Sequence, residues 1–207
     1  MMTREFVALQ ERLLPDLPRF TIQGRLMFVS PVKHVLRGIS FEGSSFDKES
    51  FYATVFVLPL CVPTRHLYFN FGDRIRGVAG GDRWNGNAMD ALLELRDAIK
   101  RDALPFLSRV ESLHGFIELA QAFSMQNPHT SEAIAYAWAR SGEVTRANEE
   151  LNRLARLLDL KIPWQREMAE RAGTLKVKLA NPADAQRQLE AWEAETLQNL
   201  GLKKFRE

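Results

Sequence analysis

The residues most able to do chemistry lie between Gly72 and Gly86, where Gly-Asp-Arg occurs twice, at 72–74 and 81–83. Gly77, Gly80 and Gly81 fall in between and Trp84 follows. Glycines let backbone amides approach an anion, and Arg74, Arg76 and Arg83 can pair with phosphate or carboxylate. Ligand binding here is therefore assigned to Arg74, Arg76, Arg83 and Trp84. The stretch carries no Gly-x-x-x-x-Gly-Lys-Ser/Thr and no Gly-x-Gly-x-x-Gly, so no nucleotide fingerprint supports it. A long solvated connection has the same composition.

Other reactive types are scattered. His34, His66, His114 and His129 include no pair at the i, i+4 spacing of a helical metal motif, and none adjoins a cysteine or an acid cluster. The single cysteine, Cys61, excludes an intrachain disulfide and a multi-cysteine metal site. It lies between Pro59 and Pro63 among apolar residues, where a thiol acts as a small hydrophobe with a raised pKa. Arg65 and His66 stand close by. Gly43-Ser44-Ser45 lacks the serine-hydrolase elbow. Glu42, Asp47 and Asp73 border the strand-like segments and can serve acid–base chemistry only if the fold gathers them. No catalytic residue, metal or cofactor is assigned.

Composition narrows the function classes. With 28 Lys and Arg against 26 Asp and Glu, the net charge of +2 is spread along the chain, unlike the concentrated basic face of a nucleic-acid binder. The basic tail Lys203-Lys204-Phe205-Arg206 is too short for one. The longest uncharged run, Ser50 to Thr64, holds two prolines and falls short of the ~18 residues of a membrane span. Charges in the first residues displace any apolar leader segment. A soluble, cytoplasmic protein with another protein as partner is expected, with no membrane and no nucleic acid.

The elements that must position these residues follow from periodicity. Phe6, Leu9 and Leu13 mark an N-terminal helix, with Thr3 as cap and Pro15 and Pro18 as its end. Strands are expected over 25–30, 32–41, 51–58 and 67–75. In Phe51–Leu58 both alternating faces are apolar, which makes it the centre of a mainly antiparallel sheet of about four strands. Asp73 to Asn87 is expected as a long glycine-rich loop. Beyond it the pattern is helical. Asn87 caps a helix that Pro105 interrupts, Ser112 caps a second, and helices follow at about 131–141, 144–160, 165–179 and 183–200. The fold class is α+β, divided into a sheet region at 1–86 and a helical region at 87–207.

The helical half repeats faintly at an offset of about 38 residues. Gly142, Ala147, Leu151 and Leu154 align with Ala180, Ala185, Leu189 and Trp192. The segment Ala133 to Leu151, with Gly142 at its turn, resembles a tetratricopeptide-type helical hairpin; the resemblance implies a scaffold for protein or peptide recognition. It lacks the usual proline after its first repeat, and Lys176 and Lys178 fall in the first helix of the second. The N-terminal half is broadly similar in layout to several uncharacterised bacterial α+β families, some of them associated with toxin immunity. An interaction, immunity or regulatory module is the leading expectation, and an anion-binding domain or enzyme using 72–86 is the alternative.

Overall fold

The computed structural model describes residues 3–86, 88–123 and 127–206. The expected caps at Asn87 and at the Thr3 side chain lie outside this description. Helix α1 (Thr3–Leu13) is followed by the strands β1 (Phe20–Gln23), β2 (Leu26–Val29), β3 (Val35–Gly43), β4 (Ser50–Pro59), β5 (Gly72–Arg74) and β6 (Arg83–Asn85). Helices α2 (Met89–Ala98), α3 (Leu104–Ser108), α4 (Leu113–Ala122), α5 (Pro128–Arg140), α6 (Val144–Leu157), α7 (Pro163–Lys178) and α8 (Pro182–Asn199) complete it. The class is α+β. The sheet has six strands among the described residues, not four, in the order β1-β2-β3-β4-β5 with β6 also on β4.

Contacts divide the chain into two compact units: the described residues of 1–58, 71–110 and 205–207, and those of 59–70 and 111–204. This does not coincide with a division at 86/87. Helices α2 and α3 stay with the sheet because Leu95, Ala98, Ile99, Ala103 and Leu107 are buried there, and Arg37 on β3 donates to the Leu107 carbonyl at 3.0 Å. Pro105 does not interrupt the helical path as expected. A π-helical turn over Ile99–Ala103 carries the chain from α2 into α3, where Pro105 occupies the first turn and needs no amide partner.

In the sheet unit β4 is the central strand, buried throughout except at half-buried Tyr52. Its Phe51 packs with Phe6 of α1 and Phe41 of β3 at centroid separations of 6.0 and 6.2 Å. Gly38 of β3 is fixed by packing: a Cβ there would stand 2.5 Å from the Met27 carbonyl oxygen.

The other edge of β4 carries an arrangement the sequence did not suggest. Neither β5 nor β6 pairs with the other; both run antiparallel to β4, β5 against Thr54–Phe56 and β6 against Ser50–Tyr52. They are one edge strand broken in the middle. Backbone bonds from Val57 to Phe71 and from Ile75 to Ala53 extend the first piece, and one from Gly86 to Glu49 extends the second. The expected strand at 67–75 therefore narrows to its last third, and the expected loop at 73–87 contains β6. β1 lies before the first strand expected at 25–30: the pattern turns strand-like from Phe20, but four residues bounded by Pro18 and Gly24 give too short an alternation to mark a separate strand.

In the helical unit α5 is the central element. Every residue from Thr130 to Ala139 is buried, and α4, α6, α7 and α8 all pack on it. Its alanines at 133, 135, 137 and 139 allow neighbours on every side, as expected of a helix apolar all round. α5–α6 and α7–α8 are antiparallel hairpins joined by three-residue turns. Gly142 adopts the left-handed conformation (φ 84°) in the first, so that the Glu143 amide reaches the Trp138 carbonyl at 3.0 Å. Ala147, Leu151 and Leu154 are buried in the first hairpin, and Ala185, Leu189 and Trp192 in the second.

Candidate functional site

The four sequence-assigned residues surround an excursion, 76–82, between the two pieces of the edge strand. Its neck is closed by the Arg74–Asp82 ion pair at 2.7 Å. Above the neck, Gly77 and Gly81 bond through their backbones at 2.8 Å, and the Val78 amide donates to Glu94 Oε1 at 2.7 Å. Below it, Trp84 is buried and donates its indole N–H to the Ile75 carbonyl at 3.1 Å. Trp84 is a structural clamp.

Each arginine has an acid close by. Arg74 also lies over the Tyr52 ring at 4.0 Å, and its pKa is raised, first by the hydrogen bond to Asp82. Asp82 is correspondingly lowered by Arg74. Arg76 sits 3.5 Å from Asp73, and the Arg76 carbonyl accepts from Arg101 at 3.1 Å. Arg83 is exposed on β6 and acts on the Asp47 carboxylate, which is lowered chiefly by its short bond to Ser50. Two of the three cations thus meet carboxylates of their own segment.

A second polar assembly runs through the interior of the helical unit. Glu132, Tyr136 and Arg140 are spaced by four residues and form one stripe of α5. Glu132 is 2% exposed and accepts from Arg171 of α7 at 3.0 Å. Tyr136 is fully buried and stacks on Trp192 of α8 at 5.2 Å. Its hydroxyl meets no hydrogen-bond partner of good geometry, although the charges of Glu132 and Arg171 act on it. Arg140 bonds Glu193 at 3.0 Å, Glu190 at 3.3 Å and Gln186.

Burial sets the protonation of this stripe. Desolvation raises the Glu132 pKa despite Arg171. Arg171 keeps its charge because Glu132 outweighs the cost of its own partial burial. The Tyr68 phenol is raised by burial and then by Glu132; the Cys61 thiol is raised by burial and then by Glu193. A thiol held neutral is a poor nucleophile. His129 stacks on Trp164 at 4.8 Å and is lowered by burial, then by Arg171. Two buried carboxylates, two phenols, a thiol and two guanidiniums are thus linked in this stripe. These contacts tie α5 to α7 and α8. In the sequence, their only signal is three polar residues at intervals of four in an otherwise alanine-rich helix.

The concave surfaces among the described residues include two of note. One, of about 410 Å³ in the sheet unit, is lined by Glu5, Arg12, Lys48 and Glu49, two charges of each sign. The other is a groove of about 270 Å³ between α6 and α7, floored by Leu151, Ala155, Leu158, Ala169 and Ala172 with Lys176 as its one charged lining residue. Gly173 also lines it, and beyond its own helix backbone nothing among the described residues lies within 4 Å of a Cβ placed there. A glycine inside a helix costs about 1 kcal/mol relative to alanine, so the intrachain packing gains nothing from it. Among the described residues no group of three or more His, Cys, Asp or Glu is placed to hold a metal ion, and no helix is long and apolar enough to cross a membrane. No family model, no curated protein and no solved structure matches this chain.

Proposed function

We propose that this chain is a non-enzymatic cytoplasmic interaction protein of the immunity or regulatory kind, and that the α6–α7 groove is its contact surface. The observation that carries the reading is the groove itself: an apolar floor, an open Gly173 and, at its edge, Leu160 left 59% exposed. Apolar grooves between helices are the usual seat for another helix or an extended segment. The hairpin resemblance to tetratricopeptide repeats implies recognition of the same kind. The reading is tested by filling the groove with Gly173→Arg. Loss of a captured partner, with unchanged thermal unfolding, supports it; capture indifferent to Gly173→Arg overturns it.

A second reading, anion binding at 72–86, is favoured by one observation. The excursion is tied at both ends and at Val78, which fixes the course of its backbone although the Gly77, Val78 and Gly80 amides themselves donate within the chain. Thermal-shift measurements with nucleotides, sugar phosphates and carboxylates test it: stabilisation lost in Arg83→Ala supports it, and no response in any class removes it.

A further inference from the structure

Building on the assignment of the α6–α7 groove as a docking surface, we propose that its occupant is α7 of a second copy of this chain, laid antiparallel about Gly173. The exposed strip of α7 includes Arg166, Glu170, Gly173, Lys176 and Val177, with Val177 77% exposed. This strip is self-complementary around its glycine. Glu170 and Lys176 are each three residues from Gly173, or about 4.5 Å along the axis; Ala169 and Val177 are each four residues away, or about 6 Å.

Antiparallel pairing therefore brings each Glu170 level with the second copy's Lys176, and each projecting Val177 level with the small Ala169. A parallel arrangement would set Glu170 against Glu170 and Lys176 against Lys176. Charge selects the antiparallel one. Lys176 now donates to the neutral Asn152 at 2.6 Å and pairs with no carboxylate among the described residues. Gly173 at the crossing lets the two helix axes approach closely, which explains a glycine that the single chain does not use. The arrangement is isologous, so it closes at two copies. One α7 strip and one groove rim from each copy bury less than the ~1,600 Å² of a standard interface, so association is weak and concentration-dependent.

The test is sedimentation of the full chain over a concentration series. A reversible monomer–dimer equilibrium that weakens with salt is expected. Glu170→Lys should weaken it by about tenfold or more, and the reversed pair Glu170→Lys with Lys176→Glu should restore it. Gly173→Arg should abolish it with no loss of thermal stability. A monomer at every concentration, or a reversed pair that fails to restore the dimer, overturns the second copy as occupant. A monomer whose capture of a different protein is lost in Gly173→Arg overturns only the second copy; indifference of both capture and sedimentation to that variant overturns the groove reading too.

Discussion

The segment 72–86 and the stripe on α5 both bring arginine to carboxylate, in opposite surroundings. Arg74 and Asp82 meet at 2.7 Å with side chains 46% and 36% exposed. Glu132 and Arg171 meet at 3.0 Å with the carboxylate 2% exposed. In the first, water solvates both charges and the pair does little beyond closing a neck. In the second, the carboxylate has lost its water and depends on one guanidinium. Geometry alone would rank the two pairs as equals; desolvation separates them.

The sharpest way to test that separation is to remove one partner from each. Arg171→Leu should cost about 3 kcal/mol at neutral pH, because Glu132 is left buried without a counter-charge. Urea unfolding measures it. The cost should shrink on acidification: the folded-state pKa of Glu132 is raised, so its penalty is absent below the unfolded value of 4.5 and grows as pH rises through the folded one. By the same sign, Glu132→Gln should gain stability relative to wild type as pH rises. A flat difference would sink the desolvation argument.

Gly142→Ala should cost about 1 kcal/mol through its left-handed backbone, while Gly173→Ala, in ordinary helix, should gain up to about 1 kcal/mol. Differential scanning calorimetry would show opposite shifts. Smallest of all, Asp82→Asn should change stability by about 0.5 kcal/mol or less. It should nonetheless release Arg74, and a new response to phosphate in thermal shift would strengthen the reading of the segment as an anion site.

The parts of the fold legible in the sequence were those written in local pattern. Phe51–Leu58 reads as a doubly covered strand and is one. Ser112 reads as a cap, and it accepts from the third residue of its helix, Gly115. What could not be read depends on pairing at a distance. β6 has three residues and exists because Tyr52 and its neighbours offer an unpaired edge. Pro105 reads as a break because the π turn that absorbs it has no sequence mark. The arginines of 72–86 read as available because their partners, Asp82 and Asp73, belong to the same run and look equally free. Glu132 was overlooked because nothing local reveals that α5 is enclosed on every side.

The broken edge strand also bears on how copies of this protein behave when crowded. A continuous strand beside β4 would expose a full row of amides and carbonyls, a template for another chain to extend the sheet. Here each piece is three residues long, charges at Asp73, Arg74 and Arg83 line it, and the excursion 76–82 stands between the pieces. An incoming strand finds no run long enough to pair with. The interruption that draws the eye as a binding loop thus also guards that margin of the sheet against sheet-to-sheet aggregation.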